Sequence, residues 1–161
     1  MWSKSFCCKA SRTNEKKNGN GFLGFSERMF VEDYYKGKRL LKVLFVDDDY
    51  FTRTIAIKLL GNADYEIKTA EDGEQAIGLL CTYKPDIIIT DVNMPKLDGW
   101  TLCEKLRENP ETKGIPIIML TARQGKMSEA MSYQLGANAY LAKPINEHEL
   151  LDTIKRLVQK A

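Results

Sequence analysis

The 161-residue sequence has one histidine, His148, only four cysteines and five prolines, and no apolar run approaching 18 residues. The missing apolar run excludes an ordinary transmembrane helix. Residues 1–8, MWSKSFCC, lack the apolar core of a secretory signal. The lone histidine opens a polar stretch and reads as a surface residue, and no Ser-His or Cys-His pair is visible, so catalysis by a histidine-activated nucleophile has no candidate. The cysteines, at 7, 8, 81 and 103, form no C-x-x-C or zinc spacing. Cys81 and Cys103 are expected to be reduced, partly buried small hydrophobes of a cytoplasmic protein.

Charge is unevenly spread. Residues 1–42 carry a net +6 and residues 43–161 a net −4, so the overall +2 describes neither part. The acidic part offers no electrostatic case for nucleic-acid binding, which needs a basic face. Residues 9–28, KASRTNEKKNGNGFLGFSER, are polar, basic and without helical or strand period, and are expected to be disordered. Weak contact of this basic tail with an acidic membrane surface or a protein partner is the alternative. A third reading starts translation at Met29. Residues 30–37 are expected to form an irregular lead-in at the domain edge. Residues 1–40 are thus read as a basic extension, and 41–161 as the folded body.

The body alternates. Residues 41–46 form an apolar strand that runs into Asp47, Asp48 and Asp49. Helical spacing follows over 52–60 through Ile55, Ala56, Leu59 and Leu60. Strand patterns recur at 65–69, 86–91, 115–120 and 139–142, and helical ones at 72–81, 99–107, 126–135 and 146–159. The strand at 86–91 is apolar throughout its interior, as expected of a strand covered on both faces. Gly136 suits a helix C′ position. Five strand–helix repeats predict an α/β fold with one parallel sheet between two helical layers. Such sheets bind ligands beyond the carboxyl ends of their strands.

Polar residues collect at those ends: Asp47 and Asp48 after the first strand, Asp91 at the third, Thr121 at the fourth and Lys143 at the fifth. Carboxylates brought together repel unless a cation neutralises them, and hard oxygen donors favour Mg²⁺, with Mn²⁺ as an alternative. Asp91 can attack a phosphoryl group and form an acyl phosphate, while Lys143 offers a point charge to phosphoryl oxygens. The Thr121 hydroxyl can donate a hydrogen bond once a phosphate is present.

Four segments carry a resemblance: 43–49 (VLFVDDD), 91–99 (DVNMPKLDG), 120–122 (LTA) and 136–144 (GANAYLAKP). In order and spacing they resemble the receiver domain of two-component response regulators, of the single-domain, chemotaxis-regulator-like type. The resemblance covers about residues 41–160. It implies a (βα)5 flavodoxin-like three-layer sandwich with a parallel five-stranded sheet of order 2-1-3-4-5. It also implies a phosphorelay switch rather than an enzyme, one that catalyses only its own phosphorylation and acyl-phosphate hydrolysis. Asp91 would be the phosphoacceptor. Asp47 and Asp48 would be the acidic pair holding Mg²⁺, with Asp48 and Asp91 as direct ligands and Asn93 giving its backbone carbonyl. Thr121 would be the switch hydroxyl, Lys143 the family lysine, Tyr140 the aromatic that follows phosphorylation, and Pro144 a cis proline. By the same resemblance, Arg123 would occupy the position that in the family tunes water access to the acyl phosphate.

The implied partners are a sensor histidine kinase or phosphotransfer protein, and a downstream target docking on the fourth helix, fifth strand and fifth helix: parts of 126–134, Tyr140 and 147–155. No DNA-binding domain is expected. Two other classes stand beside this reading. One is a phosphorylation-independent interaction module on the same fold, which would have no need of a complete acidic site. The other is a flavin-binding electron carrier, whose cofactor phosphate Asp47, Asp48 and Asp49 would repel.

Overall fold

The computed structural model describes residues 39–61, 65–122 and 126–159, the side chains of 126–128 excepted. The N-terminal extension, the lead-in at 30–37 and Arg123 lie outside the described residues. The strands are β1 (Leu41–Val46), β2 (Tyr65–Ala70), β3 (Ile87–Asp91), β4 (Ile117–Thr121) and β5 (Ala139–Ala142). The helices are α1 (Tyr50–Gly61), α2 (Gly73–Leu80), α3 (Gly99–Glu108), α4 (Lys126–Gln134) and α5 (Glu147–Val158). All four strand pairings are parallel and the order is β2-β1-β3-β4-β5. This is the (βα)5 flavodoxin-like architecture.

Alternation along each strand divides the core in two, because successive side chains point to opposite faces. Leu44, Val46, Ile88, Ile117 and Met119 face one layer with Ala76 of α2 and Leu102, Cys103 and Leu106 of α3. Val43, Phe45, Ile87, Ile89, Ile118 and Leu120 face the other with Ala56 and Leu60 of α1 and Leu150 and Ile154 of α5. Two hydrogen bonds tie α4 to α3: Trp100 Nε1–H donates to Ser132 Oγ (3.3 Å) and Cys103 Sγ–H to the Leu135 carbonyl (3.3 Å). The central strands are apolar on both faces because both faces are covered.

Local chemistry starts and stops the helices. Asp72, Asp98 and Asn146 are N-caps, accepting from the N–H groups of Gln75, Thr101 and Glu149. Asp49 precedes α1, and its carboxylate accepts from the Thr52 N–H (2.9 Å) and hydroxyl (2.6 Å). At the end of α4, Ala137 N–H reaches Ser132 O and Gly136 N–H reaches Tyr133 O, both at 3.0 Å, with Gly136 at φ +95°. That is a Schellman ending, which needs the left-handed conformation glycine adopts freely.

Ile55, within the helical spacing of α1, is half exposed, since α1 presents only Ala56 and Leu60 fully to the sheet. One expectation is corrected. Cys81 is exposed where partial burial was expected; it caps the C-terminus of α2, beyond the last turn that packs inward. Cys103 is buried as a small hydrophobe.

Tyr83, just past α2, is buried beneath the edge of the sheet. Its hydroxyl donates to the Glu66 carbonyl (3.0 Å), and Lys68 Nζ lies 4.6 Å from the ring centroid. Burial, aided by the charges of Glu66 and Asp86, pushes its phenol up to about 12. The folded state therefore favours the neutral phenol. This contribution is complete below the ordinary value of 10.0 and is lost as pH rises toward 12. The stability difference between wild type and Tyr83→Phe, from denaturant titrations, is expected to shift in favour of the variant across that interval. A difference independent of pH there would remove phenol ionisation as the cause.

Candidate functional site

The sheet reverses its winding at β1, whose two neighbours are β2 and β3, so the crevice opens beyond the carboxyl ends of β1 and β3. Asp47 directly follows β1. Its N–H donates to Ala70 O (3.1 Å), extending the β1–β2 ladder by one residue and fixing where the loop begins. Its side chain is fully buried, and Oδ1 accepts from the Asp49 N–H (3.0 Å). Asp48 is exposed at the rim. Asp91, the last residue of β3, is buried, and its Oδ1 accepts from the Val92 N–H (2.8 Å).

These three carboxylates converge, each offering an oxygen within 4.8 Å of the others. Lys143, just after β5, places Nζ 2.7 Å from Asp47 Oδ2 and 3.1 Å from Asp91 Oδ2. Its N–H donates to Thr121 O (2.8 Å), which ties the end of β5 to that of β4. The Lys143–Pro144 peptide bond is cis. Thr121 is buried at the end of β4, Tyr140 is half-buried in β5, and Asn93 is exposed in the loop after β3. His148 is exposed.

One ammonium does not balance three carboxylates. At an effective dielectric of 20, each carboxylate pair at this separation repels by on the order of 3 kcal/mol. Burial pushes the Asp47 carboxyl above its usual range, and the Asp91 charge adds to this; Lys143 and the Asp49 N–H oppose it without prevailing. For Lys143, burial favours the neutral amine, but the contacts with Asp47 and Asp91 outweigh it and raise its pKa. Asp47 Oδ2 has no aligned hydrogen-bond donor although it is buried: the Lys143 contact is one of charge, off the hydrogen-bond direction. A buried acceptor left in that state, inside a set of hard anionic oxygens, fits a divalent cation.

A family model described as the response regulator receiver domain matches residues 43–155. This chain belongs to the receiver family. The receiver is similar to the protein PilG of Pseudomonas aeruginosa, with 36% identity over 71% of this chain and 85% of PilG. It is also 36% identical to the alkaline phosphatase synthesis transcriptional regulatory protein PhoP of Bacillus subtilis, over 74% of this chain and 49% of PhoP. It thus spans about half the length of several curated relatives. Among solved structures, a response regulator from Chloroflexus aurantiacus superposes with a TM-score of 0.73 at 37% identity, covering 75% of this chain and 99% of that one. The chemotaxis response regulator CheY4 of Vibrio cholerae gives 0.70 at 35%, covering 74% and 99%. A receiver is a phosphorylation-dependent switch rather than an enzyme that turns over a separate substrate. Among the described residues no helix is long and apolar enough to cross a membrane.

Sequence reasoning did not single out Arg53, Glu71 or Lys96. Arg53 Nη1 donates to the carbonyls of Asp47 (2.8 Å) and Asp48 (3.0 Å), and Nη2 to Glu71 Oε1 (2.9 Å). Lys96 Nζ contacts Asp72 Oδ2 at 2.5 Å. An arginine one turn into a helix beside an acidic loop is a signal that can be read from sequence. The pairing of Lys96 with Asp72, 24 residues away, carries no local pattern.

Proposed function

We propose that the receiver takes a phosphoryl group onto Asp91 from a histidine kinase or phosphotransfer protein, and that the acyl phosphate switches a surface on which a downstream protein docks. The convergence of Asp47, Asp48 and Asp91 around Lys143 carries this reading. Asp48 and Asp91 would hold Mg²⁺ directly, with Asp47 completing the acidic set and Asn93 adding its carbonyl. When bound, the ion neutralises phosphoryl oxygens and screens the attacking carboxylate. In the transfer, an Asp91 carboxylate oxygen forms the new P–O bond as the donor's P–N bond breaks, and the electron pair leaves with the imidazole. Lys143, which keeps its proton, stands beside Asp91 to pair with the phosphoryl oxygens. The Thr121 hydroxyl, at the end of the adjacent strand, would turn to the phosphate and Tyr140 would follow.

Exposed Met131 and Tyr133 on α4, Tyr140 on β5 and parts of 147–155 on α5 would form the docking face. Met131 and Tyr133 give it apolar area that the core does not use. The proposed division of the chain is a basic extension at 1–40 and the receiver at 41–161.

Incubating the full chain with acetyl phosphate and Mg²⁺ is expected to add one phosphoryl group per molecule, read by intact mass. Hydroxylamine should remove it, because it is an acyl phosphate, and EDTA should prevent it. Modification that survives hydroxylamine, or none in the presence of Mg²⁺, would defeat the proposal.

A further inference from the structure

The turn of Glu71, Asp72 and Gly73 contributes no residue to the acidic cluster, yet it grips both loops that carry the cluster. On one side Glu71 binds Arg53, whose other nitrogen holds the Asp47 and Asp48 carbonyls. The Arg53 side chain is 11% exposed, so its three acceptors meet a guanidinium largely withdrawn from water. On the other side Asp72 binds Lys96, and the Gly73 N–H donates to Leu97 O (3.2 Å), both within the loop that follows Asp91. A Cβ at Gly73 would come within 2.8 Å of Leu97 O, so this approach leaves no space for a side chain. The turn itself is stiff: Gln75 N–H donates to Asp72 Oδ1 (2.8 Å), and Gln75 Oε1 accepts from the Glu71 N–H (2.7 Å). Lys96 sits at φ +62°, a conformation that a side chain disfavours and that surrounding contacts must hold.

From this geometry we infer that Arg53 and Lys96 are positioning residues: through the 71–73 turn they preset the β1–α1 and β3–α3 loops, so that divalent-cation binding depends on contacts outside the cluster. The inference rests on the functional reading above. Arg53 carries the larger share. Its planar fork serves the two carbonyls from one nitrogen and Glu71 from the other, a fixed spread of donors that a single ammonium nitrogen lacks, whereas the Lys96 side chain is well exposed and its pair is screened by water.

The test uses the full chain with Trp2→Phe, leaving Trp100 as the only indole. Trp100 follows Gly99, which packs on the Asp91 carbonyl. Mg²⁺ titration followed by fluorescence is expected to show a roughly tenfold weaker Kd for Arg53→Met and a smaller loss for Lys96→Met, with Arg53→Lys recovering only part. Without metal, amide exchange at Asp49, whose N–H is held by Asp47 Oδ1, should speed up in Arg53→Met. An unchanged Kd in Arg53→Met would overturn the inference whatever the Asp49 exchange, as would a fall in melting temperature alone. If Arg53→Met does not fold, the exposed anchor Glu71→Ala decides on the same two readouts. A wild type that binds no Mg²⁺ overturns both this inference and the functional reading; a wild type that binds it, with variants that bind it equally, overturns this inference alone.

Discussion

Asp91→Asn is expected to reduce phosphoryl uptake from acetyl phosphate and Mg²⁺ by about three orders of magnitude or more, to below detection by intact mass. The amide has nearly the carboxylate's shape and can still accept from the Val92 N–H, so β3 and its loop are kept. What is lost is the anionic nucleophile, and a neutral amide oxygen does not form a stable phosphoryl adduct. The substitution also removes one of three mutually repelling charges while leaving the Lys143–Asp47 pair in place. The folded protein should therefore be no less stable than wild type in the absence of metal. Loss of phosphorylation without loss of thermal stability is the joint signature. Wild-type labelling of the variant would show that the acceptor is another residue.

Gly99→Ala is the second large effect, and it acts on structure first. A Cβ at Gly99 would stand 2.0 Å from the Asp91 carbonyl oxygen and 3.0 Å from Val92 Cα, both backbone atoms. Neither can turn aside as a flexible side chain would. The Gly99 N–H also donates to Val92 O (2.9 Å), so α3 starts pressed against the end of β3. Relief requires α3 and β3 to separate, at a cost of about 3 kcal/mol or more. Thermal unfolding by circular dichroism should show a melting temperature lower by about 10 °C. Since the displaced strand end carries Asp91, Mg²⁺ affinity should fall with it. Gly78→Ala provides the control. Gly78 lies within α2 with nothing near its missing Cβ. Alanine there is expected to stabilise by about 0.5–1 kcal/mol through helix propensity and a less flexible unfolded chain. If Gly99→Ala melted within a degree or two of wild type, the close approach of α3 to Asp91 would be refuted.

Much of the fold is legible because its causes are local. A run such as residues 86–91 declares a strand covered on both faces, and Gly136 declares a helix end, within a few residues of chain. Boundaries shifted by only one or two residues, as at α1, which begins at Tyr50 rather than 52. The strand order came with the family resemblance. Periodicity states that the sheet is parallel but not which neighbour each strand takes. The exposure of Cys81 escapes the sequence for a related reason: helical spacing identifies an apolar stripe, but how far round and along the helix the sheet reaches is decided by the sheet.

The sequence alone determined the succession of five strand–helix units and put acidic, hydroxyl and amino groups at the strand ends, because each of those facts follows from period and from neighbours in the chain. Tertiary structure alone decided that Asp47 is buried while the adjacent Asp48 is exposed, and that Lys143 bridges Asp47 and Asp91. It also decided that Arg53, Glu71, Asp72 and Lys96 hold the two loops in place. Dielectric, charge separation and close backbone approach arise between segments tens of residues apart, and no local pattern encodes the distance at which such segments meet.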